Sequence, residues 1–225
     1  MAERVMVLTG ASGALGTVVG RMAAERGWRL ARIVRSPSPG EAGVLTLDGV
    51  DLTDAASTTA AIDAAASHFG RLDALLNIAG GFRWETVADG SADSWVAMHR
   101  MNVLTASNAA RAAIPHLRRS PAGRIVNVGA NGALKPAAGM GPYGAAKAGV
   151  HALTLALADE LKADGVTVNA VLPSIIDTAA NRADMPKADA SAWTPPEEIA
   201  EVMLFLASAA SGAATGALIP VTGRT

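Results

Sequence analysis

Tyr143 and Lys147 stand four residues apart in Tyr143-Gly144-Ala145-Ala146-Lys147. On a helix that spacing sends both side chains off one face. An ammonium held beside a phenol favours the phenolate and draws its pKa below the usual value of about 10. Such a phenol can deliver and recover a proton near neutrality. Tyr143 is the only tyrosine of the chain. A lone tyrosine elsewhere would simply satisfy its hydroxyl, and Lys147 is what sets this one apart. Upstream, Thr9-Gly10-Ala11-Ser12-Gly13-Ala14-Leu15-Gly16 places Gly10, Gly13 and Gly16 at intervals of three. Between a strand and a helix, such glycines allow a tight reversal. They also let the backbone of Ser12, Gly13, Ala14 and Leu15 approach a pyrophosphate at the positive end of the helix. A tuned proton donor and a dinucleotide-binding turn together read as an oxidoreductase.

The elements that must position these groups alternate along the chain. Residues 5–8 form a short apolar run ahead of the glycine turn, the mark of a buried parallel strand. Residues 16–26 have helical character, closed by Gly27. Strands are expected at 30–34, 44–47, 72–78, 124–128, 165–172 and 218–221. Helices are expected at 53–69, at 91–117 with Pro115 marking strain near the end, and at 143–163. Thr194-Pro195-Pro196-Glu197 reads as a helix start, with a threonine cap, proline in the first turn and glutamate three residues on. Strands alternating with helices imply an α/β fold: one Rossmann-type, doubly wound parallel sheet with helices on both faces. The whole of 1–225 reads as one domain, since the length suits a single α/β core and no linker interrupts it.

Composition narrows the class. Half the residues are hydrophobic and 17% are charged, as in a folded, well-buried protein. A net charge of −1 argues against nucleic acid or an anionic membrane as partner. With no cysteine, disulfides and thiol chemistry are excluded. His68, His99, His116 and His151 lie in separate segments without metal-ligand spacing and read as ordinary helix residues, so no metal is expected. The amino end runs straight into the first strand without a leader pattern, which reads as cytoplasmic.

Cofactor choice is commonly set at the end of the second strand, where a carboxylate takes ribose hydroxyls and an arginine takes a 2′-phosphate. Val34 occupies that place and Arg35 follows it, with Arg32 and Ser36 close by. The reading is NADP(H) in preference to NAD(H).

With these residues in hand, the chain resembles the short-chain dehydrogenase/reductase family over nearly its whole length. The marks are Thr9-Gly10 with the glycine turn, Asp51, Asn77-Ile78-Ala79-Gly80, Asn102 in Met-Asn-Val, Tyr143 with Lys147, and Pro173 through Thr178. The resemblance implies Asp51 and Leu52 near the adenine, and Asn77, Ala79 and Gly80 beside the adenine ribose. It places Pro173, Ile176 and Thr178 by the nicotinamide and phosphates. Tyr143 and Lys147 would also meet the nicotinamide ribose, and Asn102 would hold a water linking Lys147 to solvent.

Two departures stand out. The second glycine of the turn comes one place early, and the family's catalytic serine, thirteen residues before the tyrosine, is here Ala130. Gly129 and Asn131 flank it, so no neighbouring side chain restores the hydroxyl. Within the family the chain is most similar to the dihydropteridine reductases, which share that absence. The likeness runs through Gly129-Ala130, Ala133-Leu134, Gly139-Met140, Asp177-Thr178, Asn181-Arg182, Met185-Pro186 and Trp193-Thr194-Pro195, to Gly223-Arg224-Thr225. That branch carries an aspartate where Val34 stands and prefers NADH.

The resemblance therefore implies hydride transfer to a small conjugated imine or carbonyl, quinonoid dihydropteridine among them, with Tyr143 as proton donor. Ala130, Asn131, Trp84 and Trp193, with Phe82, are the candidate substrate contacts, and 177–195 a lid. The resemblance also implies a homodimer or homotetramer, since the family commonly builds that interface on this helix and the one before it, and the small residues of the Tyr143 helix permit the close approach. The alternatives are a reductase or dehydrogenase of another small ketone, quinone or alcohol, with Asn131, Ser174 or water replacing the serine, and a non-catalytic NADP-binding sensor.

Overall fold

The computed structural model describes residues 3–224; Met1, Ala2 and Thr225 of the sequence reading lie outside them. β1 (Val5–Thr9) is buried along its whole length. Its alternate side chains enter two separate cores: Val5 and Val7 one, Met6 and Leu8 the other. A strand sandwiched this way has no solvent face, which is why it reads as an unbroken apolar run. The other strands are β2 (Arg29–Ile33), β3 (Val44–Leu47), β4 (Ala74–Asn77), β5 (Arg124–Val128), β6 (Thr167–Pro173) and β7 (Leu218–Val221). They form one sheet in the order β3-β2-β1-β4-β5-β6-β7, with every pairing parallel.

On one face, α1 (Ala14–Glu25) packs with α7 (Pro196–Ala207) around Leu15, Val19, Ile199 and Met203. The other face carries α2 (Ala55–Phe69), α4 (Thr105–Leu117) and α5 (Gly141–Leu161) around Ile62, Ala109 and Leu157. The order reverses between β1 and β4. In such sheets a ligand is received in the crevice at that reversal, beyond the carboxyl ends of the strands.

Two local expectations change. The helix expected at 91–117 is α3 (Ala92–His99), a π turn over Arg100–Leu104, and α4. The π turn widens the helix where Asn102 points inward to Gly81, an insertion typical of functional sites. Pro115 sits within the last turn of α4 without breaking it. The threonine cap of α7 is not formed, and Pro195 takes the cap position. Thr194 is instead drawn into a bridge with Ile176, through Thr194 N–H to the Ile175 carbonyl at 2.9 Å and Asp177 N–H to the Thr194 carbonyl at 2.9 Å. That bridge turns its hydroxyl toward the Val221 carbonyl, 3.3 Å away.

Candidate active site

The site begins with the turn after β1. Gly10 has φ +63°, and a Cβ there would lie 2.7 Å from the Ala79 nitrogen. A Cβ at Gly16 would fall on the Gly10 carbonyl. Both positions need glycine for space, and Gly10 also for its backbone conformation. Gly13 is the N-cap of α1 and brings no side chain to the helix's first amides. Ser12, Gly13 and Ala14 are exposed along the turn while Leu15 is buried beneath it. The first amides of α1 thus face outward at the positive end of its dipole, a cradle fitted to a phosphate.

Thr9 joins this turn to the next strand. Its hydroxyl accepts from the Ile78 and Ala79 amides at 3.1 and 3.2 Å, fixing the end of β4 against the end of β1. The Asn77 amide donates to Asn127 Oδ1 at 2.9 Å, and Asn127 in turn donates to Thr154 Oγ1 at 2.9 Å. This buried chain ties β4, β5 and α5 together beneath the site. Gly80 is held close from below: a Cβ there would lie 2.6 Å from Asn102 Oδ1 and 3.4 Å from Lys147 Nζ.

Asn102 is buried on the π turn. Its side chain accepts from Gly81 N–H at 3.2 Å and donates to the Gly81 and Met98 carbonyls at 3.1 and 3.0 Å. Those bonds lock the 77–81 loop to the π turn.

Tyr143 and Lys147 share the inner face of α5. Lys147 is buried and its amine donates to the Val128 carbonyl at 2.8 Å, while burial pushes its pKa down to about 8. Phe82 meets the Tyr143 ring edge-on, centroids 4.9 Å apart. Burial pushes the phenol up to about 12, opposite to the lowering expected from the sequence. The reason is desolvation of the phenolate. Near neutral pH the phenol therefore carries its proton, as a donor must.

Ala130 is buried, and Asn131 opens a short 3-10 turn over Asn131–Ala133. Ser174, a candidate stand-in for the missing hydroxyl, donates instead to the Thr222 carbonyl at 3.0 Å in a cluster with Thr194. Trp84 is 62% exposed and lies over Gly139, where a Cβ would fall on the indole. Trp193 is only 5% exposed and borders a cavity with Ser191, Pro195, Glu198 and Arg224.

Pro173 ends β6. Thr178 caps α6 (Ala179–Asp184) by accepting from Asn181 N–H at 3.1 Å, and Asn181 donates to the Ile176 carbonyl at 2.8 Å. Asp51 accepts from the Thr53 amide and hydroxyl, both at 2.8 Å, and these bonds, with a lesser pull from Arg35, hold its carboxyl below its usual range. Leu52 is buried beside it, its carbonyl bonded by Asn108. Arg35 is exposed just past β2, next to buried Val34, whereas Arg32 pairs with Glu41 at 3.1 Å.

His151, grouped by the sequence with unremarkable histidines, is buried on α5 with its Nε2 3.3 Å from the Ala130 nitrogen. The signal was available: it lies eight residues after Tyr143 and four after Lys147, on the same side of the helix.

The fold and site define a doubly wound nucleotide-binding protein with a half-buried tyrosine and a buried lysine one turn apart at the carboxyl ends of its strands. Residues 4–189 match the short chain dehydrogenase family model. The chain is 34% identical to cis-4-hydroxycyclohexanecarboxylate dehydrogenase of Sinomonas cyclohexanicum, over 99% of this chain and 96% of that one. It is 33% identical to acetoacetyl-CoA reductase of Cupriavidus necator, over 99% and 98%. Among solved structures, a short chain oxidoreductase of Pseudomonas aeruginosa PAO1 with an atypical catalytic centre superposes with a TM-score of 0.89. The two are 26% identical, over 98% of this chain and 96% of that one. The protein belongs to the short-chain dehydrogenase/reductase family and is an oxidoreductase.

Proposed function

We propose that this protein is an NADPH-dependent reductase of a small conjugated imine or carbonyl, with quinonoid dihydropteridine as substrate and Tyr143 as proton donor. The observation that carries the reading is a protonated, half-buried Tyr143 on α5 together with an Ala130 past the end of β5 that offers no hydroxyl. A ketone gains about 3 kcal/mol of transition-state stabilisation from such a donor. A quinonoid imine is already electron-poor, and its reduction leans less on that bond. Bound NADPH supplies the hydride. Tyr143 gives its proton to the reduced nitrogen or oxygen, and Lys147, with a pKa near 8, restores it while holding ribose hydroxyls.

Gly10, Ser12, Gly13, Ala14, Leu15 and Gly16 would cradle the pyrophosphate. Asp51 and Leu52 would lie near the adenine, with Asn77, Ala79 and Gly80 at its ribose. Pro173, Ile176 and Thr178 would lie by the nicotinamide end. Exposed Arg35 beside Val34 supports a 2′-phosphate and so NADPH. Phe82 and Trp84 would cover a flat heterocycle, with Ala130 and Asn131 on its far side. Residues 177–195 act as the lid of one domain spanning 1–225, and the molecule works as a cytoplasmic homodimer or homotetramer. Among the described residues no helix is long and apolar enough to cross a membrane.

A second reading, reduction of a small ketone or oxidation of an alcohol, is favoured by the names of the relatives. Turnover of chemically generated quinonoid dihydropterin, read by NADPH and NADH oxidation beside a panel of ketones, separates the two. Pterin reduction with NADPH preferred supports the first. Ketone reduction without pterin reduction overturns it.

A further inference from the structure

The end of β5 is pinned at three consecutive residues. Lys147 Nζ donates to the Val128 carbonyl at 2.8 Å, Gly129 N–H donates to the Val171 carbonyl of β6 at 2.9 Å, and Ala130 N–H points to His151 Nε2 at 3.3 Å. The imidazole lies flush on Gly129, where a Cβ would be 2.6 Å from Nε2 and 2.7 Å from Cδ2. Glycine at 129 is thus the space the ring needs. Ala130 has no polar side chain, so its amide is the group by which a side chain can hold it. We propose that His151 is a positioning residue of this active site, fixing the backbone at Ala130 through Nε2 while Lys147 fixes it at Val128; this rests on the reductase reading above.

The bond has one chemical requirement. Nε2 must offer a lone pair to an amide N–H, so the neutral ring carries its proton on Nδ1. Protonation would set one N–H against another and place a second cation beside Lys147. Burial, followed by the charge of Lys147, holds the ring below the ordinary histidine value and keeps it neutral. Among the described residues Lys147 is the charged group acting on it. Asp93, His99 and Arg100, on the elements packed against α5 from the α3 side, do not, and β5 and β6 offer backbone and the Leu172 side chain there. Acidification releases Ala130 and disorders the pocket wall beside the phenol of Tyr143.

The test compares His151→Leu, which removes the acceptor, with His151→Gln, whose Oε1 can accept from Ala130 but does not titrate. In H151L, kcat falls roughly tenfold, the loss expected for one orphaned buried amide, while the KM for NADPH is unchanged. H151Q recovers most of that loss, and its kcat no longer declines at acid pH as the wild type's does. Nitrogen-15 spectra of the histidine ring need no substrate and show Nδ1 protonated and Nε2 bare at neutral pH. A proton on Nε2 overturns the proposal even if no substrate is ever turned over. Wild-type kcat in H151L, or an acid limb that persists in H151Q, overturns it as well. A folded protein with the Nδ1–H ring and no pterin turnover sinks the substrate reading and leaves the latch standing.

Discussion

Lys147→Met should abolish turnover and yet make the protein more stable. The amine is buried, and its pKa falls from 10.5 to about 8. That gap corresponds to about 3 kcal/mol of destabilisation wherever the amine is charged in both folded and unfolded chains. Methionine matches the length and flexibility of the side chain and carries no charge to desolvate. The bond to the Val128 carbonyl is lost with the amine, which returns about 1–2 kcal/mol. The net gain is about 1–2 kcal/mol, or about 5 °C in Tm for a chain of this size.

The pH dependence follows from the sign. A lysine whose folded value lies below its unfolded value destabilises in full below pH 8, and the penalty fades between about 8 and 10.5. The excess stability of K147M should therefore be largest at pH 7 and shrink across that window. Urea unfolding of both proteins at pH 7, 9 and 10.5, at one protein concentration, reads it directly. A variant less stable than wild type at pH 7, or a difference that does not move with pH, would refute burial as the cause of the lysine's lowered pKa.

Ala130→Ser supplies the hydroxyl that the family resemblance implies for this position and should raise kcat/KM for simple ketones about tenfold or more, with little change for quinonoid dihydropterin; parallel assays of the two substrates check it. Arg35→Glu should lower kcat/KM with NADPH about tenfold or more and spare NADH, read from initial rates with each cofactor. Asp73 is buried at the opposite end of the sheet and opposed by desolvation. It is held below its usual range all the same by Arg71 at 2.7 and 2.8 Å, Ser120 at 2.5 Å and the Val5 amide at 2.9 Å. Asp73→Asn should cost about 3 kcal/mol at pH 7. Because the folded pKa is the lower one, wild-type stability from this group is present above about pH 4 and is lost on acidification, so the two unfolding curves should converge at low pH.

The sheet was legible because its central strands β1, β4, β5 and β6 are buried nearly throughout and so are written as short, mostly apolar runs, and because Gly27, Gly70 and Gly165 follow the preceding helices in the left-handed conformation. The Tyr143–Lys147 pair was legible from spacing alone. What stayed hidden depends on direction. Spacing placed a cation near the phenol but could not weigh the burial that raises Tyr143, nor show the Lys147 amine donating to the Val128 carbonyl. Nor could it show how deeply Trp193 is buried, since an aromatic before Thr194-Pro195 looks the same at any depth. The π turn at Asn102 has no sequence signal of its own; it coincides with the bonds from Asn102 to Gly81.

The most direct measurement is the steady-state reduction of quinonoid dihydropterin by NADPH in wild type and in Tyr143→Phe, with cofactor affinity followed by fluorescence. Wild-type turnover that falls at least a hundredfold in the variant, at unchanged NADPH affinity, is the predicted result. Wild-type kcat in Tyr143→Phe, or no reduction of the pterin by the wild type, would contradict the account.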